Sequence, residues 1–304
     1  MENLEEVIEE LRKLGSKKVF VQYAEGLTTK ILDIAKTIES KGFETVLCIE
    51  PAYGACDIRD EEAKRIGCDT ILHIGHTPFG VNSSLPVVYW EYFIDSDPLP
   101  LIGANMNVFK GFKSLGIVCS LQYCKTIEKI RKFFETKGYR VYVGRGEKYP
   151  GQILGCRHYA AKSIESEVDA FVVISAGKFH ALGLAFAVEK PVILVDLEAW
   201  KVINMDSEKK KIKKIIEWNK SMVKEAKRIG ILVSWKKGQL KKPFELKKRL
   251  EANGKEVFIL AFDTLNPQKI EGLKLDILVN TACPRIGIDD LDRYRIPIIN
   301  VEYL

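Results

Sequence analysis

The sequence predicts an α/β protein of three pseudo-repeated small domains, each a mainly parallel sheet flanked by helices, arranged around a central site. Three observations carry this expectation. A β-rich run, a polar turn, an amphipathic helix, a Gly and a second β-rich run occur in that order three times. Each copy continues into a strand introduced by Asp and ends in a strand led by Pro. The three prolines, Pro86, Pro191 and Pro297, lie 105 and 106 residues apart. The strands are mostly apolar throughout, as in parallel sheets covered by helices on both faces.

The first copy opens with Lys18-Val19-Phe20-Val21-Gln22, a helix near 28–41, Gly42, and Thr45-Val46-Leu47-Cys48-Ile49. The second opens with Leu115-Gly116-Ile117-Val118, a helix near 125–137, Gly138, and Arg140-Val141-Tyr142-Val143. The third opens with Ile229-Gly230-Ile231-Leu232-Val233, a helix near 243–253, Gly254, and Val257-Phe258-Ile259-Leu260. Each Gly stands where a helix end calls for a left-handed residue. The Asp-led strands follow Asp69, Asp169 and Asp276, and the Pro-led strands close each copy. Domains are expected at 1–105, 106–206 and 207–304, the last beginning with a long linker helix near 207–228.

The 304 residues are 46% hydrophobic and 29% charged, with a mean hydropathy near zero, which excludes a largely disordered chain. No apolar run reaches the ~18–20 residues of a membrane span. The acidic start Met1-Glu2-Asn3-Leu4-Glu5-Glu6 does not read as a signal peptide, so a cytoplasmic location and no membrane partner are expected. The net charge of +6 is uneven: residues 201–255 hold 18 Lys/Arg against 6 Asp/Glu, a local +12. That stretch reads as the solvated face of a helix, with Ile212, Ile215, Ile216, Val223 and Ala226 turned inward. The alternative is a patch for an anionic macromolecule, but nucleic acid is not the expected partner, because no aromatic interleaving appears there.

Seven cysteines in a cytoplasmic chain do not suggest disulfides, and no CxxC pair marks a zinc ribbon. The CxxxCxxC triplet of ordinary radical S-adenosylmethionine enzymes is absent too. Any metal site must be assembled from distant segments. Cys56 and Cys156 stand at equivalent places, in Gly-containing loops after the second strand of copies one and two, each expected to lead into a helix whose start, by its macrodipole and free N–H groups, favours a thiolate. Cys283 is the third copy's only cysteine, at the carboxyl end of its third strand. Ligands gather at such strand ends. Cys48 and Cys68 read as packing residues, and Cys119 and Cys124 as a loop pair without counterparts. Three thiolates are too few to close a structural zinc site, but they suit a 4Fe–4S cluster with one iron open to substrate. From spacing alone, structural thiols remain the alternative.

At Tyr53-Gly54-Ala55-Cys56-Asp57, Tyr149-Pro150-Gly151-Gln152-Ile153-Leu154-Gly155-Cys156 and Ala282-Cys283-Pro284-Arg285-Ile286, the sequence resembles the archaeal diphthamide-biosynthesis enzymes, the 2-(3-amino-3-carboxypropyl)histidine synthase family. The three short motifs occur in order along the full chain. The resemblance implies three α/β repeats, a homodimer, and Cys56, Cys156 and Cys283 as ligands of a 4Fe–4S cluster. It also implies a noncanonical radical reaction in which the 3-amino-3-carboxypropyl group of S-adenosylmethionine is transferred to a histidine of translation elongation factor 2. Methylthioadenosine is released, and an unidentified electron donor is required.

Arg285 is a candidate to hold the methionyl carboxylate bidentately, with a surface ion pair as the alternative. Ser175, Gly177 and His180, at the carboxyl end of the second copy's third strand, could line the same pocket. His180 and His76, in related loops, are candidate substrate contacts or ordinary loop histidines. Two rival readings stand beside this one. The first is a quinolinate synthase-like cluster enzyme, whose motifs match less well. The second is a non-enzymatic three-domain binding protein with structural cysteines.

Overall fold

The computed structural model describes residues 3–239 and 241–304; Met1 and Glu2, part of the acidic start, and Leu240 lie outside it. The chain forms three sheets flanked by helices and falls into two compact units. One unit is Met1–Ile94 with the tripeptide Lys236–Gly238, and the other is Asp95–Trp235 with Gln239–Leu304.

The first unit carries α1 (Leu4–Lys13), β1 (Lys18–Tyr23), α2 (Ile31–Glu39), β2 (Glu44–Leu47), α3 (Asp60–Ile66), β3 (Thr70–Ile74) and β4 (Val87–Trp90). Its four strands are all parallel, in the order β2-β1-β3-β4. Alternation sends Val19, Val21, Leu72 and Ile74 to one face, against Val7, Ile8 and Leu11 of α1 and Ile31, Ile34 and Ile38 of α2. Phe20 and Ile71 face the other way, packing with Ile58, Ala63, Cys48 and Cys68. Cys48 and Cys68 are buried, the packing role their sequence positions suggest.

The second unit holds the other two sheets. Its first part runs α4 (Leu99–Ala104), β5 (Ser114–Cys119), α5 (Ile127–Thr136), β6 (Arg140–Tyr142), α6 (Tyr159–Lys162), β7 (Ala170–Ser175), α7 (Phe179–Ala187), β8 (Val192–Asp196) and β9 (Lys201–Asn204). The order is β6-β5-β7-β8-β9, with β9 antiparallel at the edge. The 20-residue helix α8 (Asp206–Glu225) follows. After it come β10 (Arg228–Ser234), α9 (Phe244–Glu251), β11 (Glu256–Phe262), α10 (Pro267–Glu271), β12 (Ile277–Asn280) and β13 (Ile298–Asn300), in the order β11-β10-β12-β13.

The repeat is visible atom by atom. Val19, Leu115 and Ile229, each second in its strand, pair with Thr45, Val141 and Val257 on one side and Thr70, Ala170 and Ile277 on the other. Gly42, Gly138 and Gly254 follow their helices at φ 97°, 88° and 73°, a region L side chains rarely adopt. The Asp before each third strand accepts backbone N–H groups at the start of the first strand. Asp69 takes Lys17 and Lys18, Asp169 takes Lys113 and Ser114, and Asp276 takes Lys227 and Arg228. Each Pro carbonyl then receives an N–H from the neighbouring strand: Ile71 to Pro86, Phe171 to Pro191, Leu278 to Pro297. The sequence markers at 105- and 106-residue spacing are thus hydrogen-bonding fixtures of the sheets.

The Arg228 and Lys227 amides hold the Asp276 carboxyl below the usual carboxylate range. A folded-state pKa that is depressed adds stability above the unfolded value, and that stability is lost as the pH falls through the folded one. Urea titrations of wild type and Asp276→Asn should therefore differ fully above about pH 4 and converge on further acidification. A gap that stays constant down to the acid limit contradicts this role.

Helix α8 joins the second and third sheets within its unit. Ile212 and Ile216 pack with Ala181, Leu184 and Ala185 of α7, Val223 packs with Ile229 and Ile231, and Asn219 donates to Ile298 O at 2.9 Å. Ile215 departs from the sequence expectation. It is exposed, and Asn219 occupies the buried stripe instead. Trp218, also exposed, lies among Lys210, Lys213 and Lys214, so the basic run does carry one aromatic neighbour, contrary to the sequence expectation. No helix among the described residues is long and apolar enough to cross a membrane.

Candidate metal centre

In sheets of order 2-1-3-4 the strand succession reverses beside the first strand, and ligands bind at the carboxyl ends near that point. All three candidate cysteines follow carboxyl ends: Cys56 after β2, Cys156 after β6 and Cys283 after β12. Cys56 belongs to the first unit, Cys156 and Cys283 to the second.

The Cys56 loop is braced from below by β1. Ala52 bridges Ala24, and the buried Gln22 amide donates to Asp57 O and accepts from Arg59 N, both at 3.0 Å. A Cβ on Gly54 would lie 3.6 Å from Cys56 Sγ, so the glycine leaves that side of the sulfur uncrowded. Cys56 and Cys283 are half-buried and Cys156 is exposed, so all three are reachable by an incoming ligand.

The Cys156 loop extends the sheet past β5: Cys119 N donates to Gly151 O and Ile153 N to Cys119 O, both at 2.9 Å. The buried Gln152 carbonyl collects Lys148 N and Tyr149 N. The Cys283 loop is held by an amide pair. Asn280 donates to Cys283 O and to Asn300 Oδ1, while Asn300 donates to Pro284 O.

Phe179 links these two loops. A Cβ on Gly155 would stand 2.0–2.7 Å from its ring atoms, and the Arg285 guanidinium lies over the same ring, 4.9 Å from the centroid. The residue before Cys156 and the residue two past Cys283 therefore touch one aromatic side chain. Arg285 also faces Asp289 at 3.0 Å and Asp290 at 3.6 Å. It is the buried Nε that makes both of these contacts, without an aligned hydrogen bond to either carboxylate. Burial pushes the Asp289 carboxyl up, opposed by the Arg285 charge.

Ser175 is fully buried, its hydroxyl donating to Gly177 O, and Gly177 N donates to Asp196 Oδ1. His180 packs edge-on against Phe179, 5.3 Å between ring centroids. The four cofactor candidates thus fall on two segments, 175–180 and 283–290, that meet at Phe179; His180 lies in the first turn of α7 and not in the loop its sequence position suggests. His76 sits elsewhere, its Nδ1 3.0 Å from His73 Nε2. Burial pushes His76 down to about 4 and His73 well below its usual value, so both rings are neutral near pH 7. Nothing in the sequence singles out His73 or His158; the latter, two residues past Cys156, is also pushed by burial to about 4.

Two sequence expectations need correction. Neither Cys56 nor Cys156 stands in the first turn of a helix: α3 starts at Asp60, and α6 is a single turn starting at Tyr159. Thiolate stabilisation by a helix dipole fades beyond the first turn, so it does not apply here. Cys119 is not a loop residue but the buried end of β5, its sulfur 3.1 Å from that of Cys124.

Among the described residues no three His, Cys, Asp or Glu side chains are grouped to hold a single metal ion. Each candidate cysteine stands beside small residues: Cys56 after Gly54 and Ala55, Cys156 after Gly155, and Cys283 after Ala282. This chemistry fits a thiolate-ligated iron–sulfur cluster, which needs both soft donors and backbone clearance.

Repeated, mainly parallel sheets flanked by helices define an α/β protein, and relatives named 2-(3-amino-3-carboxypropyl)histidine synthase place it among the transferases. The family model for diphthamide synthesis proteins matches residues 23–303, and the chain belongs to that family. It is 32% identical over 300 residues to 2-(3-amino-3-carboxypropyl)histidine synthase of Pyrococcus horikoshii, covering 97% of this chain and 86% of that protein. It is 27% identical to subunit 1 of the Caenorhabditis elegans synthase, covering 92% of this chain and 72% of that one. The crystal structure of Dph2 from Pyrococcus horikoshii with a 4Fe–4S cluster superposes with a TM-score of 0.87 at 30% identity, over 98% of this chain and 88% of that one.

Proposed function

We propose that this protein transfers the 3-amino-3-carboxypropyl group of S-adenosylmethionine to a histidine of translation elongation factor 2, the first step of diphthamide biosynthesis. Cys56, Cys156 and Cys283 are the ligands of its 4Fe–4S cluster in this reading. One observation carries it: each repeat presents one accessible thiol after a strand end, in a chain that superposes over 98% of its length on a cluster-bearing relative. When bound, such a cluster supplies the electron that opens a carbon–sulfur bond of the sulfonium.

The protein's own residues have the task of orientation. Arg285, stacked on Phe179 with an unaligned Nε, holds the methionyl carboxylate. The 175–180 segment, with Ser175, Gly177 and His180, lines the cofactor's side of the site. These positioning contacts would set how the sulfonium is turned in the site, and so which of its carbon–sulfur bonds opens. Methylthioadenosine is the by-product. The protein works in the cytoplasm as a homodimer and draws electrons from a separate donor.

Anaerobic reconstitution tests the reading: about four iron and four sulfide per chain are expected, as in a 4Fe–4S centre. A colourless, zinc-loaded protein contradicts it. Arg285→Ala should retain the iron and bind S-adenosylmethionine about ten- to a hundredfold more weakly, the worth of a charged hydrogen bond. Unchanged affinity, by calorimetry on the loaded protein, removes Arg285 from the site.

A further inference from the structure

Lysine is almost never fully buried unless paired. Lys236 is buried, only 6% exposed, and it stands two residues past the end of β10 rather than in the first repeat's own sequence. The chain joins the first unit at Lys236 and leaves it after Gly238. Over those three residues it makes three separate contacts with the Cys56 segment.

The Lys236 ammonium pairs with the Asp57 carboxylate, which also lies 3.7 Å from the Arg59 guanidinium. Lys237 Nζ donates to Asp60 Oδ2 at 2.7 Å; Asp60 is fully buried and also accepts Ser84 N. Gly238 N donates to Cys56 O at 2.8 Å. A Cβ on Gly238 would stand 2.6 Å from Cys56 Cβ and 2.7 Å from its Cα and O, so only glycine permits this approach. With Glu62 beside Arg59, the network holds three positive and three negative groups. Buried charge is thereby balanced around the residue that follows Cys56.

We propose that Lys236, Lys237 and Gly238 form a positioning clamp on the Cys56 loop, fixing this thiol's backbone in its ligating place before any cluster arrives. The clamp rests on the reading of Cys56 as a cluster ligand. It makes Lys236, Lys237 and Gly238 positioning residues, acting through Cys56 and not on substrate. Charge fixes the loop on the Asp57–Asp60 side, and the glycine contact fixes it at Cys56 itself.

Two measurements on the full chain test this. The first is the alkylation rate of each cysteine by N-ethylmaleimide in protein without iron, read by peptide mass spectrometry. Gly238→Ala and Lys236→Met should label Cys56 about tenfold faster than wild type, with Cys156 unchanged and the buried Cys119 still slow; Lys236→Arg should restore the slow rate. The second is iron release to a chelator from the loaded protein, expected to quicken about tenfold in the same two variants and not in Lys236→Arg.

If Gly238→Ala fails to fold, seen as fast labelling of Cys119, Lys237→Gln carries the test through the half-exposed outer tie. Equal Cys56 labelling in wild type and variants overturns the clamp, whatever the iron content. A wild-type chain that takes up no iron and sulfide overturns the cluster reading, and the Cys56 labelling ratio still decides whether the loop is clamped.

Discussion

Cys156→Ser should fold normally, lose the complete cluster and lower aminocarboxypropyl transfer by on the order of a hundredfold or more, beyond what loss of a ligand's supporting contacts costs. Cys156 is exposed, and its loop is tied by backbone bonds through Gly151, Ile153 and the Gln152 amide, none of which uses the thiol. The substitution should therefore shift stability by no more than about 0.5 kcal/mol, as exposed changes away from special features do. The two readouts separate function from structure. Iron and sulfide content with thermal unfolding measure both, and a Cys156→Ser chain that keeps a full cluster excludes Cys156 as a ligand. Cys48→Ser is the contrasting variant: that thiol is buried among Phe20, Ile58 and Ile71, and its loss should weaken the fold while leaving the cluster in place.

Gly155→Ala should cost about 1–3 kcal/mol of stability through overpacking. Its Cβ would sit 2.0 Å from Phe179 Cζ and 2.2 Å from Cε1, a distance no relaxed contact allows. The ring must move, and with it the Arg285 guanidinium that lies over it. Both cysteine loops of the second unit are then disturbed by one methyl group. Shrinking the ring by Phe179→Leu in the same chain should return part of the loss, with a coupling of about 0.5–3 kcal/mol between neighbours in contact. Strictly additive effects in denaturant titrations contradict the packing described for Gly155, Phe179 and Arg285.

Much of the fold was legible because its markers are local. Asp69, Asp169 and Asp276 cap strand starts, Gly42, Gly138 and Gly254 turn the chain after helices, and Pro86, Pro191 and Pro297 lead the last strands. Each acts through neighbouring backbone atoms, so each leaves a regular trace in the sequence. The candidate thiols were legible for the same reason, since strand ends can be counted along the chain.

What escaped notice depends on distant contacts. Lys236 reads as one more basic residue in a basic stretch until its buried pairing with Asp57 is seen, 179 residues away in sequence. Nothing in the sequence distinguishes Phe179 from its neighbours in 175–180 until Gly155 and Arg285 are found on its ring. The helix-dipole expectation for Cys56 and Cys156 failed because the connections run on for several residues before α3 and α6 begin, which periodicity alone does not reveal. Asn219 displaced Ile215 from the buried stripe of α8 because its amide meets the carbonyl of Ile298, a partner from another element.

The central claim is that three thiols, one per repeat, equip this chain to transfer an aminocarboxypropyl group to a protein histidine. The most direct measurement incubates the reconstituted, reduced protein with S-adenosylmethionine and elongation factor 2 under anaerobic conditions, followed by mass spectrometry of the factor and of the small-molecule products. A 3-amino-3-carboxypropyl mass gain on one histidine is expected with an equal yield of methylthioadenosine, and neither product from Cys56→Ser, Cys156→Ser or Cys283→Ser. An unmodified factor, or transfer that persists in the three cysteine variants, contradicts it.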